Sequence, residues 1–98
     1  MMKYVAEFLG TFFFLSVILA ATAKNALAPA LTPIMIVVGL LAAIVIAGPL
    51  SGANLNPAVS VMLALNKSLP TSDLLGYIAS QLLAAVAAKT VFDMLNKK

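Results

Sequence analysis

The sequence predicts an all-α membrane protein with three transmembrane helices and one re-entrant half-helix, a helix that enters the membrane and returns to the same side. Hydrophobic residues make up 63% of the 98 residues and charged residues 9%, whereas soluble domains average about 45–50% and about 25%. Three apolar stretches are long enough to cross a bilayer, and a fourth is too short. A soluble domain of this length could not bury so much apolar surface, so lipid is the expected solvent.

Composition also limits the chemistry that the chain can perform. It contains no Cys and no His, and its formal charge of +3 comes from six lysines, with no Arg. Without Cys, disulfides and thiolate catalysis are excluded. Without His, the chain also lacks the commonest metal ligand and the usual proton shuttle at neutral pH. The lysines lie singly or in pairs at the ends of apolar stretches, which is typical of headgroup anchors rather than a nucleic-acid surface. We expect no enzymatic activity, no metal, no cofactor and no nucleic-acid partner.

The first predicted span covers about residues 4–23. Twenty helical residues measure about 30 Å, the thickness of a bilayer core. Lys3 before the stretch and "ILAATAK" at its end also resemble the order of a cleavable signal peptide. Glu7 inside the apolar region, and the further spans that follow, argue against that alternative.

The second predicted span covers about residues 31–50. Pro33 falls in its first turn, where a missing N–H does no harm. Pro49 is expected to end this helix, because proline cannot continue the hydrogen-bond ladder.

The third predicted span covers about residues 73–95 and follows the sequence "LPTSD". Pro70 should break the chain there, and Thr71 or Ser72 should cap the new helix. Small residues recur at every fourth position in all three spans: Ala6 and Gly10; Gly39, Ala43 and Ala47; Gly76, Ser80, Ala84 and Ala88. Alanine-rich helices can show this by chance, but the same pattern in three spans favours a tight helix bundle.

The segment 51–66 contains "SGANLNPAVS" and is too apolar for a simple exposed loop. Asn56 and Pro57 fit the N-cap and first position of a helix that continues to Leu65, and Gly52 allows a tight turn before it. This helix is too short to cross the membrane. It is either an amphipathic helix on the surface or a half-helix that starts inside the membrane, which is a recurrent way to build a solute site.

Three segments, "AEFLGTFFF" at 6–14, "SGANLNPAVS" at 51–60 and "GYIASQLLAA" at 76–85, resemble the first half of the aquaporin, or major intrinsic protein, family. The resemblance covers nearly the whole chain, which we treat as one repeat of that fold over residues 1–98. It implies that Asn56, Pro57 and Ala58 form the family's pore motif.

The resemblance also implies residues that support the re-entrant segment. Glu7 and Gln81 match buried polar residues that hold the segment through its backbone, and Ser51 and Gly52 are expected to assist. A carboxyl and an amide in lipid need partners, and an irregular backbone offers unpaired N–H groups. The alternative for Glu7 is an exposed acid that reaches the membrane surface.

The chain departs from the family pattern at three positions. Asn54 stands where the family usually has His, and Ile36 stands at a position often occupied by a large aromatic of the selectivity filter. Val59 follows the only Asn-Pro-Ala motif, whereas family members carry two motifs and an Arg after the second. These residues are expected to line or flank the pore.

One repeat is half a channel, and three crossings place the two ends of the repeat on opposite sides of the membrane. We therefore expect two antiparallel copies to form a passive pore for water or small neutral solutes, and the family's tetramers suggest eight chains. Two lysines on one side against three or four on the other leave orientation weakly specified.

Two alternatives to a homomeric channel remain. One is a small dual-topology exporter that uses Glu7 as its proton carrier, and the other is a half-channel that needs a longer partner chain. Each would be a multi-pass protein of the plasma or cell membrane.

Overall fold

The structure, a computed structural model, describes residues 1–97 and consists of helices. The elements are α1 (Met2–Thr22), a short 3₁₀ turn (Pro29–Leu31), α2 (Thr32–Ser51), α3 (Pro57–Leu65) and α4 (Thr71–Leu95). Helices α1, α2 with its 3₁₀ turn, and α4 are long and apolar enough to span a membrane, and α3 is too short. The predicted fold class is confirmed.

Helix α1 is the centre of the bundle, since it packs against both α2 and α4. Small residues permit this packing. A Cβ added to Gly39 of α2 would lie 2.8 Å from Val17 Cγ1 of α1, and one added to Gly76 of α4 would overlap the ring of Tyr4. The central position of α1 disfavours its being a cleavable signal peptide.

The end of α2 differs from the prediction, because Pro49 does not terminate the helix. Pro49 lies within the last turn, and α2 continues to Ser51. A proline there removes only one backbone hydrogen bond, and the helix ends where Gly52 adopts a left-handed conformation, with φ of 84°. Gly52 N–H closes this end by donating to Gly48 C=O at 2.8 Å.

Helices α3 and α4 start with different N-caps. Asn56 caps α3 as predicted, because its side-chain oxygen accepts a hydrogen bond from Ala58 N–H at 2.8 Å. The predicted cap of the third span is wrong: α4 begins at Thr71, Pro70 occupies the N-cap position, and no side-chain hydrogen bond caps the helix. Proline favours the extended conformation that an N-cap requires, and the first N–H groups of a helix lack intrahelical partners in any case.

Candidate functional site: the re-entrant segment and the recess beside it

The segment between α2 and α3 has an irregular backbone. Ala53 and Leu55 both have positive φ, 51° and 59°, although neither is glycine. A left-handed conformation costs an L-residue roughly 1–2 kcal/mol, so both residues require stabilising contacts from outside the segment.

Glu7 of α1 contacts Leu55 directly and acts on Ala53 through Ser51, whose Oγ accepts a hydrogen bond from Ala53 N–H at 3.1 Å. Glu7 Oε2 accepts hydrogen bonds from Ser51 Oγ at 2.6 Å and Asn54 N–H at 2.9 Å. Its Oε1 accepts from Leu55 N–H at 2.8 Å and Gln81 Nε2 at 2.9 Å. The side chain is fully buried, so the alternative of an exposed acid at the membrane surface is wrong. Four donors around two oxygens form a binding site for a carboxylate within the chain.

A second group of contacts joins α3 to α4 below this carboxylate. Ser60 Oγ accepts hydrogen bonds from Gln81 Nε2 at 2.8 Å and from Asn54 Nδ2 at 3.0 Å. Ser60 and Gln81 are buried, and Gln81 Oε1 has no partner among residues 1–97. Asn54 therefore faces the inside of the segment, where its amide holds the first turn of α3.

Tyr77 is a supporting residue that the sequence interpretation missed. Its hydroxyl donates to Ser51 C=O at 2.7 Å, while its ring meets the ring of Tyr4 edge to face with centroids 5.9 Å apart. Asp73 Oδ1, one turn before Tyr77, accepts from Tyr4 Oη at 3.2 Å and pairs with Lys3 Nζ at 2.8 Å. The spacing of Tyr77 four residues before Gln81 was the available signal, since it places both on one face of α4.

The N-terminus of α3 lies level with about the middle of α4. Gln81, which contacts Ser60, is ten residues into α4, or about 15 Å along a helix that is about 37 Å long. Asn56 is one turn, about 6 Å, further from the same end. The NH₂ group of Asn56 makes no hydrogen bond within the part of the chain that the structure describes, and the residue is exposed.

A recess of about 430 Å³ opens beside this helix end. Its wall combines residues of α1, α2 and the re-entrant segment: Phe14, Leu40, Ile44, Ala53, Asn54, Leu55, Asn56 and Val59. The wall is mostly apolar, with the two asparagines as its polar groups. A larger recess, of about 450 Å³, lies at the far end of α1 and α4 and contains none of the predicted site residues.

The recess includes three of the predicted pore residues and leaves three out. Pro57 and Ala58 follow Asn56 in the first turn of α3 without lining the recess. Ile36 lies one turn before Leu40 on α2, outside the wall. The sequence interpretation missed the aromatic and aliphatic wall residues Phe14, Leu40 and Ile44. The four-residue spacing of Ile36, Leu40 and Ile44 is the signal that relates them, because it places all three on one helix face.

Comparison with known proteins agrees with this architecture. The family model described as major intrinsic protein matches residues 1–98. The chain belongs to the major intrinsic protein family. It is an integral membrane protein whose length corresponds to one half of the family's fold. No solved structure matches it.

The relatives are longer than this chain. It is 33% identical over 96 residues to "Glycerol uptake facilitator protein-like 6" of Lactiplantibacillus plantarum, covering 90% of this chain and 41% of the relative. It is 37% identical over 103 residues to "Aquaglyceroporin AqpS" of Rhizobium meliloti, covering 94% and 44%. It is also 37% identical over 97 residues to "Aquaporin NIP3-1" of Arabidopsis thaliana, covering 94% and 30%. The chain thus spans less than half the length of these relatives.

Proposed function

We propose that this chain forms a passive transmembrane channel for water and small neutral solutes, with two antiparallel copies enclosing one pore. The observation that carries the proposal is the recess beside the N-terminus of α3. A membrane protein tolerates irregular backbone at this depth only where protein covers it or a wet cavity adjoins it. The exposed N-terminal end of α3 adjoins a wet cavity if the recess forms one wall of a pore.

The pairing of two copies follows from the geometry of one copy. Helix α3 has nine residues, about 13.5 Å, against about 37 Å for α4, so it lines only part of the length of the bundle. Three membrane-spanning helices put the two ends of the described bundle on opposite sides. A second, inverted copy would bring a second Asn56 to the midplane and complete the wall.

The contacts of Glu7 support a channel over a proton-coupled exporter. An exporter needs this carboxyl to gain and lose a proton in an open cavity. Glu7 is instead buried, and each of its oxygens accepts two hydrogen bonds. The carboxylate is thus engaged as a hydrogen-bond acceptor inside the bundle and is closed off from solvent.

Neutral solutes fit the electrostatics of the proposed pore. The N-terminus of α3 carries roughly half a positive charge, and the NH₂ group of Asn56 is a hydrogen-bond donor. A narrow, poorly solvated lumen screens that charge weakly, so cations meet a barrier while water or glycerol can accept hydrogen bonds. Two of the relatives are named as a glycerol uptake facilitator and an aquaglyceroporin, which favours glycerol as the second solute.

Further assembly and location belong to the same proposal. We propose that pairs associate into a tetramer of pores, which gives eight chains, in a plasma or cell membrane. The lysine distribution supports insertion in both orientations. Lys3 and Lys67 lie at the end of the bundle where α1 and α4 begin, and Lys24, Lys89 and Lys97 lie at or toward the other end.

Stopped-flow light scattering on proteoliposomes of the purified chain tests the function. We expect faster shrinkage than protein-free liposomes under an osmotic gradient, and faster re-swelling in glycerol. Permeability no higher than that of protein-free liposomes would reject the homomeric pore. If the chain alone is inactive, permeability with a full-length relative that exceeds that of the relative alone would instead favour the half-channel that needs a longer partner.

A further inference from the structure

The three consecutive phenylalanines of α1 have three different environments. Phe12 stacks on Phe8, with ring centroids 6.3 Å apart and planes 13° apart. Phe13 is 43% exposed and lies on the outer groove between α1 and α2. Phe14 alone of the three lines the recess that holds Asn54 and Asn56. Consecutive helical residues point about 100° apart, which is why one run of identical residues serves three surfaces.

The position of Phe14 is set by the same helix face that carries Glu7. The two residues are seven positions apart, so they lie on one side of α1, about 10.5 Å apart along its axis. Glu7 holds the N–H of Leu55, and Phe14 packs against the cluster of Ala43, Ala47 and Leu55. The ring is thereby supported from behind by the re-entrant segment and by α2.

We propose that Phe14 is the residue that determines which neutral solutes pass the recess. This inference rests on the proposed channel function and names the determinant of its selectivity. Phe14 is the bulkiest and most rigid side chain of the recess wall, and its ring offers no hydrogen bond to replace those a solute loses. A solute that reaches the amide of Asn56 must fit past this ring, and an antiparallel pair contains the ring twice.

Replacement of Phe14 by a smaller and by a larger side chain tests the assignment in proteoliposomes. We expect Phe14→Leu to raise the ratio of glycerol to water permeability by about tenfold, the effect of a change of a few carbon atoms in a close-fitting apolar site. Phe14→Trp should lower the same ratio, because it fills the recess further. Phe13→Leu is the matched control: it removes a neighbouring ring on the outer surface and should leave the ratio unchanged.

The possible results separate this inference from the function on which it rests. If the wild-type chain conducts neither water nor glycerol, the channel itself is rejected, and the role of Phe14 with it. If the wild-type chain conducts but Phe14→Leu and Phe14→Trp both keep its ratio, the channel stands and Phe14 is not the determinant. An equal change in Phe13→Leu would also overturn the assignment. Because Phe14→Trp retains an aromatic ring, the test does not depend on the smaller variant assembling.

Discussion

Replacement of Glu7 by glutamine is the sharpest test of how the re-entrant segment is held. The substitution keeps the shape of the side chain but turns one acceptor oxygen into a donor NH₂ group. If the NH₂ group takes the place of Oε2, the Ser51 hydroxyl can rotate and accept, but Asn54 N–H loses its acceptor. If it takes the place of Oε1, Gln81 can flip and offer its unpartnered oxygen, but Leu55 N–H loses its acceptor.

The expected change in the free energy of opening the segment follows from these two orientations. Each leaves one buried backbone N–H unsatisfied, which costs about 1–3 kcal/mol. The remaining hydrogen bonds lose the carboxylate charge that makes them roughly twice as strong as neutral ones. Relief from burying a charge offsets part of this loss. We therefore expect the free energy of opening the segment to fall by about 2–4 kcal/mol, which is a roughly 30- to 1,000-fold increase in the open population.

Amide hydrogen exchange measures that opening directly. Exchange in a peptide covering residues 52–58 should accelerate by the factor above, while a peptide of α4 around Ala84 and Ala88 should not change. Asp73→Asn is the matched control, because it neutralises another carboxylate on Lys3 and Tyr4 without touching the segment. Unchanged protection of residues 52–58 in Glu7→Gln, or equal acceleration in Asp73→Asn, would refute the role of Glu7 as the carboxylate that holds the segment.

Four further predictions concern the support, the pore and its orientation. Tyr77→Phe, which removes the hydrogen bond to Ser51 C=O, should accelerate exchange of residues 52–58 by roughly five- to tenfold, the equivalent of about 1 kcal/mol; Tyr4→Phe removes a hydroxyl that contacts Asp73 instead and should leave that peptide unchanged. Val59→Arg should lower glycerol flux more than water flux in proteoliposomes, because it adds bulk and charge to an aliphatic wall; equal effects on both fluxes would place Val59 outside the pore. Asn56→Asp should assemble and admit small monovalent cations in planar bilayers, since it adds a negative charge where the helix ends converge; a conducting wild type, or an Asp variant as tight as wild type, would contradict this. Single cysteines placed at either end of this Cys-free chain should each label partly from outside intact cells, and labelling from one side only would exclude an antiparallel pair made of this chain alone.

Local sequence features were sufficient to predict the spans and the helix start at Asn56. Hydropathy and length predict which helices can cross a membrane, because each helix satisfies its own backbone in lipid. The start of α3 at Asn56 and Pro57 was predictable for a similar reason, since capping involves a side chain and a backbone N–H only two residues apart. The errors were also local: Pro49 and Pro70 mark helix ends in general, but one proline inside a last turn or at an N-cap is compatible with a helix.

The contacts that build the site depend on the packing of distant segments. Glu7 finds its partners 44 to 74 residues away, and Tyr77 reaches back to Ser51 over 26 residues. Hydropathy cannot distinguish Phe12, Phe13 and Phe14, and residue type would not place Ala53 and Leu55 at positive φ. These features arise where three helices and an irregular segment must satisfy one another's polar groups away from water. Hydropathy along the chain therefore predicts which segments enter the membrane, whereas the packing of α1 between α2 and α4 selects which side chains hold the re-entrant segment and which face the recess.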